Sequence, residues 1–166
     1  MTSERTRTEI WQGLWDAMRM GRYYSAIQQR HQAVNRVAIA LLLLSGTGSV
    51  ATLWNMMPDW SQAAFGMSIA AVTIWSALGR HAAKAAVAQS ICLQCNDLAV
   101  EWRTLLADVD SQRLDDAAAR EALNRLDHKM NHVTARSGDV GLAINDRINK
   151  ISAEEAGREL ELSYAR

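Results

Sequence analysis

The residues best suited to chemistry in this chain are two cysteines and four histidines. Cys92 and Cys95 form a C-x-x-C pair, a spacing used for dithiol redox work or half of a zinc site. A redox dithiol normally opens a helix after a strand, and zinc wants two further ligands. Neither requirement is visible around these residues, so both thiols read as neutral and structural. His128 and His132 stand four apart, which places both imidazoles on one helical face, as in a two-histidine metal site. The glutamate of H-E-x-x-H and a clear third ligand are both missing, and this pair also reads as structural. His31 and His81 lie beside Arg36 and Arg80, where they could answer to acid or to anionic lipid. Chance proximity is the blander account of that placement.

No glycine-rich phosphate loop, nucleophile elbow or pair of carboxylates in an apolar setting occurs. Asp115, Asp116 and Glu121 have the character of helix-start charges. The expectation is a protein that is not an enzyme, with no cofactor and no metal.

The elements that must carry these residues are helical. The chain of 166 residues is rich in Ala, Arg, Glu, Gln and Asp and holds one Pro and one Phe. That composition favours helices over strands. Lys plus Arg total 18 against 18 for Asp plus Glu, a zero balance that argues against a nucleic-acid binder. Two closely spaced cysteines suit a reducing compartment. No short apolar core near the start resembles a signal peptide.

The averages conceal a concentration of apolar residues. Val37–Met57 and Trp60–Gly79 contain no charged side chain, and only Pro58 and Asp59 separate the two runs. A helix needs about twenty apolar residues to cross a hydrocarbon layer about 30 Å thick. The pattern therefore predicts a membrane hairpin of two antiparallel helices, Pro58 stopping the first and Asp59 capping the second. Arg19, Arg22, Arg30 and Arg36 precede the first run and Arg80 and Lys84 follow the second, while the link carries no cation. By the positive-inside rule both ends face the cytoplasm, and the location is the inner, or plasma, membrane. Trp54 and Trp60, with Arg36 and Arg80, mark the membrane interfaces. The second run is the weaker, diluted by Ser61, Gln62, Ser68, Thr73 and Ser76.

Small and hydroxyl residues recur within both runs. Ser45, Gly48, Ser49 and Thr52 in the first, and Gln62, Gly66, Thr73 and Ser76 in the second, are candidates either to line a wet path or to pack the helices together. No ionisable group lies inside either run, which disfavours a coupled transporter.

Around the hairpin, Thr8–Asn35 reads as an amphipathic helix, with Ile10, Trp11, Leu14, Trp15, Met18, Tyr24 and Ile27 at helical steps. Its apolar side is expected to pack on the downstream helices. From Arg80 no Gly or Pro occurs until Gly138, so the second span is expected to continue unbroken from Trp60 to near Asp108, about 70 Å. Val87, Ile91, Leu98, Trp102 and Leu105 repeat as the seam of a coiled coil or bundle and are the candidate oligomerisation residues. Further helices follow, one with Leu123, Leu126, Met130 and Val133 on a face, one with Ile144, Ile148 and Ile151. Ser152 and Glu155 have the spacing of a capping box. The whole is an all-α chain divided as 1–36, an amphipathic helix, 37–79, the hairpin, and 80–166, a cytoplasmic helical region.

The order of parts over Ile10–Leu106 resembles the SLATT family of two-helix membrane effectors. The likeness rests on RYYSAIQQRHQAVNR (Arg22–Arg36) leading into the first run, on the turn NMMPDW, and on the Ala-rich GRHAAKAAVAQ (Gly79–Gln89) after the second. It implies an effector that oligomerises and breaches the bacterial inner membrane in antiphage or conflict defence, on a signal from a partner sensor or nucleotide-signalling protein, and it brings no catalytic residues. Two rivals remain: a membrane-anchored scaffold tethering a partner without a pore, and, more weakly, a holin-like or transport protein.

Overall fold

The computed structural model describes residues 3–45, 58–139, 141–142 and 144–164. These form five helices and, among the described residues, no strand: α1 Glu4–Ser45, α2 Asp59–Gly79, α3 His81–Asp110, α4 Asp116–Asp139 and α5 Asp146–Tyr164. The all-α expectation holds. The chain divides into two compact units, one of residues 1–27 with 86–166 and one of residues 28–85.

The first unit is a closed helical bundle. The early part of α1 supplies Ile10, Leu14, Ala17, Met18, Tyr24 and Ile27; α3 supplies Ala88, Ile91, Cys95, Leu98, Trp102, Leu105 and Val109. Leu123, Leu126 and Val133 of α4 and Ala156 and Leu160 of α5 complete the core. The three- and four-residue steps along α1, α3 and α4 put these side chains on one face of each helix, which is why a single core forms. Gly13 and Gly21 let α1 approach α3. A Cβ at Gly13 would fall 2.5 Å from the Trp102 ring, and one at Gly21 would fall 2.6 Å from the Asn96 amide oxygen. Trp102, only 1% exposed, occupies the groove that Gly13 leaves open.

Polar contacts fix the ends. The Asp115 carboxylate accepts from the Ala118 amide at 2.8 Å and caps α4, in keeping with a helix-start charge. The Ser3 amide and the Thr6 hydroxyl both donate to Asp116, each at 2.9 Å, tying the start of α1 to the start of α4. Arg22 reaches Glu155 at 2.9 Å and also Glu159, which Arg103 joins at 3.1 Å, linking α1, α3 and α5.

Four sequence expectations need correction. The N-terminal helix does not stop near Asn35; it continues without a break into the first apolar run, as far as Ser45. The expected unbroken helix from Trp60 to Asp108 is interrupted at Arg80, whose backbone is left-handed (φ 46°, ψ 36°). That conformation costs a non-glycine residue about 1–2 kcal/mol. Asp59 is the first residue of α2 rather than its cap; Pro58 holds that position and no side chain caps the helix. Ser152 and Glu155 do not open a helix, because α5 already runs through them and Ser152 is buried. The cap is Asn145, whose side chain accepts from the Ile148 amide at 3.1 Å. The seam residues offered for oligomerisation take part in the core of this bundle. Ile91, Leu98, Trp102 and Leu105 are buried in that core and Val87 packs against it, with the apolar side of α1 lying on α3.

In residues 28–85 the balance is reversed. Among the described residues there, Ala38 and Ala85 are the buried apolar ones, and both are small. Among the described residues no helix is long and apolar enough to cross a membrane. Two features account for this: residues 46–57 of the first apolar run lie outside the described set, and five hydroxyl or amide residues dilute α2.

Candidate functional site

The second unit carries the features that ask for a partner. Val37, Ile39, Leu41, Leu42 and Leu43 on α1 and Trp60, Phe65, Met67, Ile74 and Trp75 on α2 are all exposed, from 37% at Leu42 to 75% at Trp60. Fully burying one such side chain is worth about 1.5–3 kcal/mol. Half-exposed, ten of them leave on the order of 10 kcal/mol unrealised, as large as the whole net stability of a typical domain. Monomeric soluble proteins rarely expose apolar area on this scale in one contiguous patch.

Three described hydroxyls of α2 are already engaged as donors. Ser61 donates to the Pro58 carbonyl at 2.7 Å, Ser68 to Ala64 at 2.8 Å and Thr73 to Ile69 at 2.8 Å. Each donor bonds its own helix, which lowers the cost of placing it in an apolar medium. Of the residues proposed to line or pack the spans, Gln62 and Gly66 are half-buried and Thr73 is exposed. Gly48, Ser49, Thr52 and Trp54 fall outside the described residues, as do the side chains of Ser45 and Ser76.

Cations collect in this unit. Arg30, Arg36 and Arg80 are exposed and Lys84 is half-buried. None of them enters an ion pair among the described residues; those pairs all lie in the bundle. His31 and His81, fifty residues apart, meet: their Nδ1 atoms are 2.9 Å apart, one ring donating and the other accepting. His81 also lies against the Trp75 ring, 4.9 Å between centroids. Burial, the other imidazole, Lys84 and Arg30 all hold the His31 pKa below its ordinary value. The sequence placed both histidines near Arg36 and Arg80, but nothing in their spacing announced the contact.

The candidate chemistry of the bundle is quiet. Cys95 is wholly buried, and burial pushes its thiol up to about 12. Burial also raises half-buried Cys92, against which the Asn96 amide donates at 3.8 Å. Both are therefore protonated thiols at neutral pH and poor nucleophiles. His128 and His132 line a groove of about 400 Å³ with Gln94, Asp97, Glu101 and Lys129. Lys129 is held by Glu101 at 2.6 Å. No group of three potential ligands able to hold a metal ion occurs among the described residues.

No family model, curated protein or solved structure matches this chain.

Proposed function

We propose that residues 37–79 form a membrane hairpin and that the chain is a SLATT-like effector, which oligomerises and permeabilises or depolarises the bacterial inner membrane with both termini in the cytoplasm. The observation that carries this reading is the contrast between the two units. The bundle buries its own apolar face, whereas the unit of residues 28–85 exposes ten large apolar side chains. Lipid is the medium in which that exposure costs nothing. Two charge-free runs with a cation-free link support the same reading, and Arg30, Arg36, Arg80 and Lys84, in no ion pair among the described residues, supply the positive flank on one side. The back-bonded hydroxyls of α2 offset the polar dilution that leaves this helix marginal. No catalytic role is assigned to any residue.

The test is expression of the full chain in bacteria together with its partner system and trigger, following membrane potential with a voltage-sensitive dye. Collapse of the potential is expected. A steady potential with the chain recovered in the membrane fraction would refute the pore. Recovery of the chain as a dispersed monomer in plain buffer would refute the hairpin.

A second reading keeps the hairpin as an anchor and gives the work to the bundle, which tethers a partner. It is favoured by the closed core of that unit together with exposed Leu93, Val100 and Leu162 on its surface. Replacing both spans with unrelated apolar helices separates the two. An anchor survives the exchange and a pore does not.

A further inference from the structure

The corner between α2 and α3 combines a costly backbone with an unusual side-chain pair, all inside residues 28–85. Arg80 is left-handed without the freedom of glycine. On one side of it, Gly79 is packed so closely that a Cβ there would lie 2.4 Å from His81 Nε2. On the other, His81 reaches across to His31 of α1 through the 2.9 Å Nδ1–Nδ1 contact. Its Nε2 is buried with no hydrogen-bond partner. The local sequence prefers something else: Ala82, Ala83, Ala85 and Ala86 are strong helix formers, and an unbroken helix through Arg80 would remove the left-handed residue. The contacts of His81 therefore hold a corner that the backbone alone would straighten.

Proton counting shows what breaks the contact. In the neutral pair one Nδ1–H donates to the other Nδ1. A first added proton goes to the free Nε2 of the donor ring and leaves this bond in place, now charge-assisted. A second must take the accepting Nδ1 itself, which is the lone pair the bond uses. Two N–H groups and two positive charges then confront each other and the contact cannot persist. The charges around the pair give no relief. Arg30 on α1 and Lys84 on α3 both act on His31 as like charges. Arg80, next to His81 in the chain, and Arg36, five residues after His31, are further cations of this unit, while α2 presents the uncharged Trp75 ring. The one carboxylate between residues 28 and 85 is Asp59, at the far end of α2, about 30 Å away along the helix.

We propose that the His31–His81 pair is an acid-sensitive latch. With at least one imidazole neutral it holds the Gly79–Arg80–His81 corner, and double protonation releases the corner so that α2 and the first turns of α3 join as a continuous helix. The inference stands on the geometry of residues 28–85 alone and holds whether or not the spans conduct.

The experiment uses the full chain with spin labels at Met67→Cys and Ala83→Cys, in a background of Cys92→Ser and Cys95→Ala. Label-to-label distance is measured by pulsed electron paramagnetic resonance at neutral pH and at pH about 4.5, below the imidazole range. Acid should move the distribution toward about 24 Å, the rise of sixteen residues in an unbroken helix. His31→Phe, His81→Phe and the milder His81→Gln should each abolish the acid response. Gly79→Ala, which displaces the His81 ring, should show the longer distance already at neutral pH. An unchanged distribution in the parent chain would overturn the latch. So would a full acid response in the histidine variants.

Discussion

Met67 offers a direct test of what surrounds α2. It is 68% exposed and lies two residues before the middle of the helix, near the centre of the proposed span. If that surface faces water, Met67→Lys exchanges one solvated side chain for another and changes stability by no more than about 0.5 kcal/mol. If it faces lipid, a lysine near the helix centre costs about 3 kcal/mol of insertion free energy. That is about a hundredfold in the equilibrium, enough to take a chain that is almost fully inserted to about half inserted. The control is Leu93→Lys on α3, where the exposure is 57% but the unit is the closed bundle. Both variants are expressed as full chains, the membranes are washed with alkaline carbonate, and the retained fraction is measured. Met67→Lys should lose much of its retained fraction and Leu93→Lys almost none. Equal retention of the two, at the parent level, would show that exposure on α2 is ordinary surface.

Three further outcomes follow from the bundle. Gly13→Ala places a methyl 2.5 Å from the Trp102 ring; overpacking of this kind costs about 1–3 kcal/mol and should lower the Tm followed by Trp fluorescence, while Trp102→Ala should cost about 3–5 kcal/mol. The Asp116 carboxylate, accepting from Ser3 and Thr6, is lowered to about 2. A depressed carboxylate stabilises above its ordinary pKa near 4 and loses that contribution as pH falls from there through about 2, so tryptic cutting after Arg5 and Arg7 at neutral pH should accelerate in Asp116→Ala and not in Asp115→Ala. Cys95, buried and raised to about 12, should resist alkylation in the folded chain, Cys92 should react slowly, and both should react in denaturant.

Helical periodicity made the bundle legible. The steps through Ile91, Cys95, Leu98, Trp102, Leu105 and Val109 define a face that is buried as the spacing requires. The same spacing cannot say what does the burying, and Ile10, Leu14 and Ala17 of α1 share that core. Gly13 and Gly21, which make that approach possible, carry no periodic signal of their own. Local motifs failed where a distant contact decided the outcome. Ser152 and Glu155 match a capping box, yet α5 begins at Asp146, six residues earlier, where Asn145 both caps the helix and donates its amide to the Tyr23 hydroxyl at 3.1 Å. The Arg80 corner had no local cue, since Arg is a good helix former. Beside it His81 meets His31, fifty residues away in the chain, a contact that no local pattern announces.

The division of apolar surface bears on how an assembly would form. Because the bundle satisfies its own core, association through α3 would require unpacking α1 from Trp102, which no modest interface could offset. If the chain assembles as proposed, contacts between subunits are better placed in residues 28–85. Ser61, Ser68 and Thr73 have already committed their donors to their own helix, so interhelical hydrogen bonds from them would add little. What remains is close packing at small residues, and Ala64, Gly66, Ala70 and Ala71 provide it along α2. An assembly built this way is held by shape rather than by buried polar bonds. Gly66→Leu should then disrupt it more than Thr73→Val, and the opposite order, read by crosslinking in membranes, would place the hydroxyls at the interface instead.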